Sequence, residues 1–237
     1  MRILFRLLEL LPESVMLELK RLRYQYLIHQ NRFRSEEKEF QYLEQLISPG
    51  DTVVDIGANV GRYTLRMADL VGNGGRVLGF EPITRTFDLL SSNVVFGGFN
   101  NVSLFNCAIT DRVAEVAFSV PDGNYYQSHL SDDGAWKVMG YPLESFMSSV
   151  KNASFLKIDA EGCDEDIVRS ARGYINVARP VVMVEISGSA LTQLATELKE
   201  YRAFALAGSH NGCLVPDESR EVLEKIGAVT VGGSSTT

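Results

Sequence analysis

Thr52–Ile56, Arg76–Phe80, Val102–Phe105 and residues 154–158 and 181–186 are short, mostly apolar runs, most of them reaching an acidic or polar residue at or just past their end. Between them, residues 60–70, 84–96, 164–172 and 189–201 carry apolar positions at steps of three and four, the spacing of a helix with one buried face. Runs this continuously hydrophobic suit strands covered on both sides, and the alternation predicts an α/β domain around a mostly parallel sheet. Residues 114–120, 203–206 and 213–215 read as further strands and 121–124 as a turn. The Gly, Ser and Thr of residues 230–237 predict a disordered tail.

Ahead of the first strand the pattern changes. Leu4, Leu8, Leu11, Val15, Leu19, Leu22 and Tyr26 recur at helical steps, predicting an amphipathic helix broken or restarted at Pro12. That helix is expected to end near residues 31–35. A second helix over 36–47 completes an arm of residues 1–47, and the turn Ser48-Pro49-Gly50-Asp51 opens a domain of residues 48–229. Charge divides the same way: residues 1–34 hold seven Lys or Arg against three Glu, a net of +4, leaving −11 on the rest of a chain whose total is −7. Three uses of the arm stay open: covering the core or closing over substrate, a homodimer contact, or a helix resting on an anionic membrane surface. Arg6 and Glu9 interrupt the apolar stretch, so neither a secretory signal nor a membrane-spanning run is expected.

The 237 residues, 45% hydrophobic and 22% charged, suffice for one such domain with an appendage. Cys107, Cys163 and Cys213 are too few and too scattered for a disulfide framework or a zinc site, which implies a reducing, cytoplasmic setting. A net-acidic domain speaks against a nucleic-acid substrate.

The turn after the first strand is the leading site candidate. Asp55 stands at the carboxyl end of the strand, where ligands of open α/β sheets bind. Gly57 is expected to let backbone amides approach a ligand, and Gly61 to let the next helix lie close to the strand. A dinucleotide fingerprint needs G-x-G-x-x-G, and here Asn59 and Arg62 take the second and third places. An adenosyl ligand with an amino-acid head and no phosphates suits Asp55 and Asn59 better. The second run ends in Phe80-Glu81-Pro82, which places an acid where ribose hydroxyls are bound and a proline that stops the strand.

A third cluster, Asp159-Ala160-Glu161-Gly162, follows the fourth main strand, and Asp159 is expected to face the same crevice. Asp164, Glu165 and Asp166 fall in the next helix's first turn, where negative charge complements the macrodipole. No metal is expected; a divalent ion on Asp159, Glu161 and Asp164 is the weaker alternative. His129 belongs to the polar, aromatic stretch 125–130, read as a substrate-contact loop.

With Asp55-x-Gly57-Ala58-Asn59-x-Gly61, Phe80-Glu81-Pro82, Asn106-x-Ala108, Leu156-Lys157-Ile158-Asp159-x-Glu161-Gly162 and Val184-Glu185-Ile186 in this order, the chain resembles the FkbM family of S-adenosylmethionine-dependent methyltransferases. It departs from the family at Cys163 and Asp164, where an aromatic residue and a Glu are usual. The resemblance implies a Rossmann-like class I methyltransferase fold: a mostly parallel seven-stranded sheet with helices on both faces. It also implies S-adenosylmethionine as cofactor, with Asn106 and Ala108 beside the adenine. The N-P-P-Y-type loop of many amino-methylating enzymes is absent, so an oxygen acceptor is expected, on a sugar, glycan or secondary metabolite. Asp159 or Glu161, with His129 as second choice, would position or deprotonate its hydroxyl. An N-methyltransferase, or an inactive module that binds the cofactor, a membrane or a partner, is the alternative.

Overall fold

The structure is a computed structural model that describes residues 12–120, 129–131, 133–147, 152–160, 162–206, 208–219, 221, 227 and 229–231. Helix α1 (Glu13–His29) leads through a 3-10 turn (Lys38–Tyr42) into the single-turn α2 (Leu43–Leu46). The main sheet is then wound by β1 (Thr52–Ile56), α3 (Arg62–Val71), β2 (Arg76–Phe80), α4 (Thr84–Gly97) and β3 (Val102–Phe105). It resumes with β8 (Phe155–Ile158), α6 (Asp164–Ser170), α7 (Arg172–Ala178), β9 (Val181–Val184), α8 (Gly188–Glu197), β10 (Tyr201–Ala205) and β11 (Gly212–Pro216). The strand order β3-β2-β1-β8-β9-β11-β10 is parallel from β3 to β9 and antiparallel beyond. This is the mostly parallel seven-stranded sheet expected, with a two-residue strand β12 (Val229–Thr230) added at the β10 edge. The expected disordered tail is therefore corrected at residue 230; residues 232–237 lie outside the described residues.

Alternation along each strand sorts side chains onto two faces. Val54, Ile56, Leu78, Phe80, Leu156 and Ile158 fill one core, and Val53, Val77, Phe155, Met183 and Cys213 fill the other with α3 and the 43–47 segment. Between β3 and β8 the chain builds a second sheet, of which the spacing predicts only the strand at residues 114–120. It consists of β4 (Ala108–Ile109), β5 (Ala114–Ser119), β6 (His129–Leu130) and β7 (Trp136–Tyr141), in the order β4-β7-β5-β6. The one-turn helix α5 (Glu144–Met147) follows it.

Helix boundaries differ where local geometry overrides spacing. The helix expected from residue 60 starts at Arg62, because positive φ at Gly57, Asn59 and Gly61 holds the preceding turn open. The helix expected over 36–47 is the shorter 3-10 and α pair, and that over 164–172 breaks at Ala171 into α6 and α7. The helix expected to reach Tyr201 ends at Glu197, since Tyr201 already begins β10.

Helix α1 lies along α4. Tyr24, backed by Leu17, Leu27 and Ile28, packs with Phe33 against Val60, Leu65, Leu89, Leu90 and Val94. The described part of the stripe read from the sequence lies on the other side: Val15, Leu19, Leu22 and Tyr26 are 40%, 42%, 62% and 59% exposed, and Leu4, Leu8 and Leu11 lie outside the described residues. The arm thus covers the core through a face the spacing did not single out.

Candidate active site

At the carboxyl end of β1, Asp55 is fully buried, and its Oδ2 accepts a 2.6 Å bond from the Thr64 hydroxyl on α3. Across the strand pair it stands in register with Lys157 of β8. Lys157 is itself buried, donates to Asp159 Oδ2 at 2.8 Å, and sits 4.6 Å from the centre of the Tyr63 ring. The Tyr63 hydroxyl donates at 2.6 Å to Glu37, from the segment that precedes the 3-10 turn. Burial raises the Asp55 carboxyl above its usual range, against the pull of Lys157. Burial opposes the Lys157 ammonium, but Asp159 and Asp55 outweigh it and hold the lysine firmly charged. Asp159 is desolvated too, yet Lys157 and a hydrogen bond shared with the Glu185 side chain hold its pKa below the ordinary value.

The turn after β1 interlocks with this cluster. A Cβ on Gly57, at φ +76°, would lie 1.8 Å from the Asp159 carbonyl oxygen, so only glycine lets the two strand ends meet. The Gly57 and Ala58 amides both donate to the Phe80 carbonyl, at 3.0 and 2.9 Å. This corrects the expectation that they turn toward a ligand. At Gly61, φ +92°, a Cβ would meet Leu90 of α4 at 2.6 Å, so the close approach is of helix to helix rather than helix to strand.

Glu81 is 5% exposed and held entirely by backbone: Asn59 N–H donates to Oε2 and Ile83 N–H to Oε1, each at 2.9 Å. Burial raises its pKa to about 7, the two amides opposing. Each oxygen keeps lone-pair capacity for a further donor, as ribose hydroxyls would supply. Asn106 is tied to the backbone beside Glu81. Its amide donates to the Glu81 and Pro82 carbonyls at 2.9 and 3.0 Å, and so fixes the loop that carries Glu81. Ala108 is buried in β4 with Ile83 and Phe118, away from the cavity wall.

A cavity of about 510 Å³ opens at the ends of β1 and β8, bounded by Asp55, Gly57, Asn59, Tyr63, Lys157 and Asp159, with Tyr24, Ser35 and Glu37 contributed by the arm; Glu81 stands behind Asn59, outside its lining. Its size is that of a small-molecule site. The Asp55 Oδ1 atom is buried in this wall with no hydrogen-bond partner. An orphaned buried acceptor is costly unless a ligand donor meets it. Acids outnumber cations around the cavity, which disfavours a pyrophosphate and fits a ligand bearing an ammonium and a sulfonium; the residues present fit S-adenosylmethionine.

Of the remaining candidates, the backbone of His129 pairs with Ser119 in the second sheet, and its side chain and all of Glu161 lie outside the described residues. Asp164 folds the 159–163 loop back on itself, accepting from Ala160 and Gly162 N–H at 3.2 Å each. Among the described residues, no three His, Cys, Asp or Glu side chains are grouped to hold a metal ion. The sequence pattern gives no role to Lys157, Glu185, Tyr63 or Glu37. A lysine inside the buried run Leu156-Lys157-Ile158 was a usable signal, because a cation there must be paired; Tyr63 and Glu37 gave none.

Comparison with known proteins bears on the family and on the fold. The model of the methyltransferase FkbM domain matches residues 55–211. Among solved structures, methyltransferase FkbM from Methylobacillus flagellatus superposes with a TM-score of 0.50 at 14% identity, over 73% of this chain and 49% of that one. Cofactor-bound Rv0187 from MTB superposes with a TM-score of 0.51 at 12% identity, over 85% and 89%. A probable cobalt-precorrin-6B C(15)-methyltransferase (decarboxylating) of Saccharolobus solfataricus is 41% identical over 59 residues. That match spans 24% of this chain and only 30% of the relative's length. From the match over residues 55–211 and the motifs it joins in space, the chain belongs to the FkbM methyltransferase domain family, within the S-adenosylmethionine-dependent methyltransferases.

Proposed function

We propose that this chain is an O-methyltransferase acting on a hydroxyl of a sugar or glycan, or of a secondary metabolite, on the cytoplasmic side. The observation that carries the cofactor half is the orphaned Asp55 Oδ1 in the cavity wall, opposite a firmly ionised Lys157–Asp159 pair. S-adenosylmethionine supplies an activated methyl group when bound. Asp55 would hold its amino-acid head, and Glu81 its ribose.

The acceptor half rests on the acids after β8 and on a groove beside them. Aliphatic hydroxyls are poor nucleophiles and need orientation and a base. Asp159, held below the ordinary carboxylate pKa, is a weak base and suits orienting a hydroxyl; Glu161 or His129 would take the proton. A groove of about 1050 Å³ runs between the second sheet and α6, bounded by Ile109, Arg112, Lys137, Cys163, Asp166 and Arg169. Its Arg112–Asp111 and Lys137–Glu115 pairs, at 2.9 and 3.3 Å, offer paired donors and acceptors of the kind sugar hydroxyls use.

Calorimetric titration with S-adenosylmethionine and with NAD, followed by transfer of a labelled methyl group to glycans and hydroxylated metabolites, tests the reading. Binding of the first ligand alone and label on oxygen are expected, with turnover cut by Glu161→Gln or His129→Gln and affinity for S-adenosylmethionine unchanged. Label found on nitrogen, or turnover indifferent to both substitutions, would replace it.

A further inference from the structure

Helix α1 has two apolar sides. One packs on α4 through Tyr24 and Leu17, and the other presents Val15, Leu19, Leu22 and Tyr26 to solvent. At ~100° per residue these four side chains fall within about 60° of one another, so they form one continuous strip. In the sequence the same spacing runs back through Leu11, Leu8 and Leu4. The exposed side is not a by-product of packing, because the packed side already has its own apolar residues.

Charge decides what covers the strip. Exposed Arg23 stands on the helix, and exposed Arg32 and Arg34 lie just past its end, within the segment of residues 1–34 that carries a net +4 against −11 elsewhere. A second copy would bring like charge to like charge. Four side chains on one helix also fall far short of the ~20–30 residues a side in a stable interface. An anionic bilayer meets both features at once: the strip enters the headgroup boundary while the arginines meet lipid phosphates and the acidic body stays away from the surface.

We propose that the exposed side of α1 is a docking face for an anionic lipid bilayer. Tyr24 on the opposite side borders the cofactor cavity, so the docked helix holds that cavity close to the membrane. The inference stands apart from the identity of the acceptor.

The test is co-sedimentation of the full chain with phosphatidylcholine vesicles with and without phosphatidylglycerol, at low and high salt. The comparison protein is Leu19→Glu/Leu22→Glu, whose changes are at exposed positions and whose fold is checked by S-adenosylmethionine affinity. Partitioning onto the anionic vesicles is expected to exceed that onto neutral ones by about tenfold or more and to weaken with salt. The double variant is expected to lose it at unchanged cofactor affinity, and Arg23→Gln/Arg32→Gln to reduce it only on anionic vesicles. Equal partitioning on both vesicle types, or a double variant that binds like the parent, overturns the proposal. So does a dimer in solution that the double variant dissolves, which would assign the face to a second copy.

Discussion

Two carboxylate sites sit at neighbouring strand ends and are built on opposite principles. At the ends of β1 and β8, the buried Lys157 ion-pairs with Asp159 at 2.8 Å and holds that carboxylate charged, while the fully buried Asp55 beside it stays above its usual range despite the same cation. At the end of β2, Glu81 has only two backbone amides for company, and its pKa rises to about 7. The same side-chain chemistry therefore gives a fixed charge at Asp159 and a titratable one at Glu81, at the end of β2. Burial costs a carboxylate its charge unless a full opposite charge answers it; hydrogen bonds alone answer it in part.

The sharpest way to break this contrast is to remove the cation. Lys157→Met leaves the buried Asp55 and the partly exposed Asp159 without it and is expected to cost about 3 kcal/mol near neutral pH, read from urea unfolding. The deficit should shrink as the pH falls and both acids take up protons. A loss under about 1 kcal/mol at neutral pH would mean that solvent, not Lys157, compensates the pair.

Gly57→Ala forces a Cβ into the Asp159 carbonyl, at a backbone angle that alanine avoids. A cost of at least about 2 kcal/mol is expected, together with weakened cofactor binding, because the interlock of the two strand ends is lost. Thermal unfolding and calorimetry measure the two effects separately.

Glu81→Gln probes the other site. Affinity for S-adenosylmethionine is expected to fall by about ten- to a hundredfold at mildly alkaline pH, the worth of hydrogen bonds to a charged group. In the parent protein, affinity should rise as pH passes through about 7, because ribose donors favour the ionised carboxylate. Stability runs the other way. Glu81 takes up its proton more readily folded than unfolded, so its contribution is full below about 4.5 and lost as pH rises through about 7. A parent and variant with parallel pH profiles would show that Glu81 does not titrate in the site.

The smallest effect is expected from Tyr63→Phe, which keeps the ring over Lys157 but deletes the bond to Glu37. About 1 kcal/mol should be lost, with cofactor affinity reduced only slightly. A large loss of affinity would move Glu37 from the cavity's edge to its binding machinery.

The sequence by itself determined the α/β class, the winding of β1 to β3 and β8 to β9, and the placing of Asp55, Glu81 and Asp159 at strand ends. Those follow from local periodicity and from acids that interrupt apolar runs, and neither needs a distant partner to be read. Tertiary structure alone decided which side of α1 is buried, since a helix apolar on two opposite sides carries no local sign of which one finds α4. It also decided the second sheet, whose strands pair across long separations, and the work of Asn106, whose amide serves a loop 24 and 25 residues away. Above all it set Lys157 and Asp159, two residues apart in the sequence, beside Asp55. How far the buried Asp55 carboxyl is raised depends on its burial and on the cation across the strand, and only the folded sheet brings the two together.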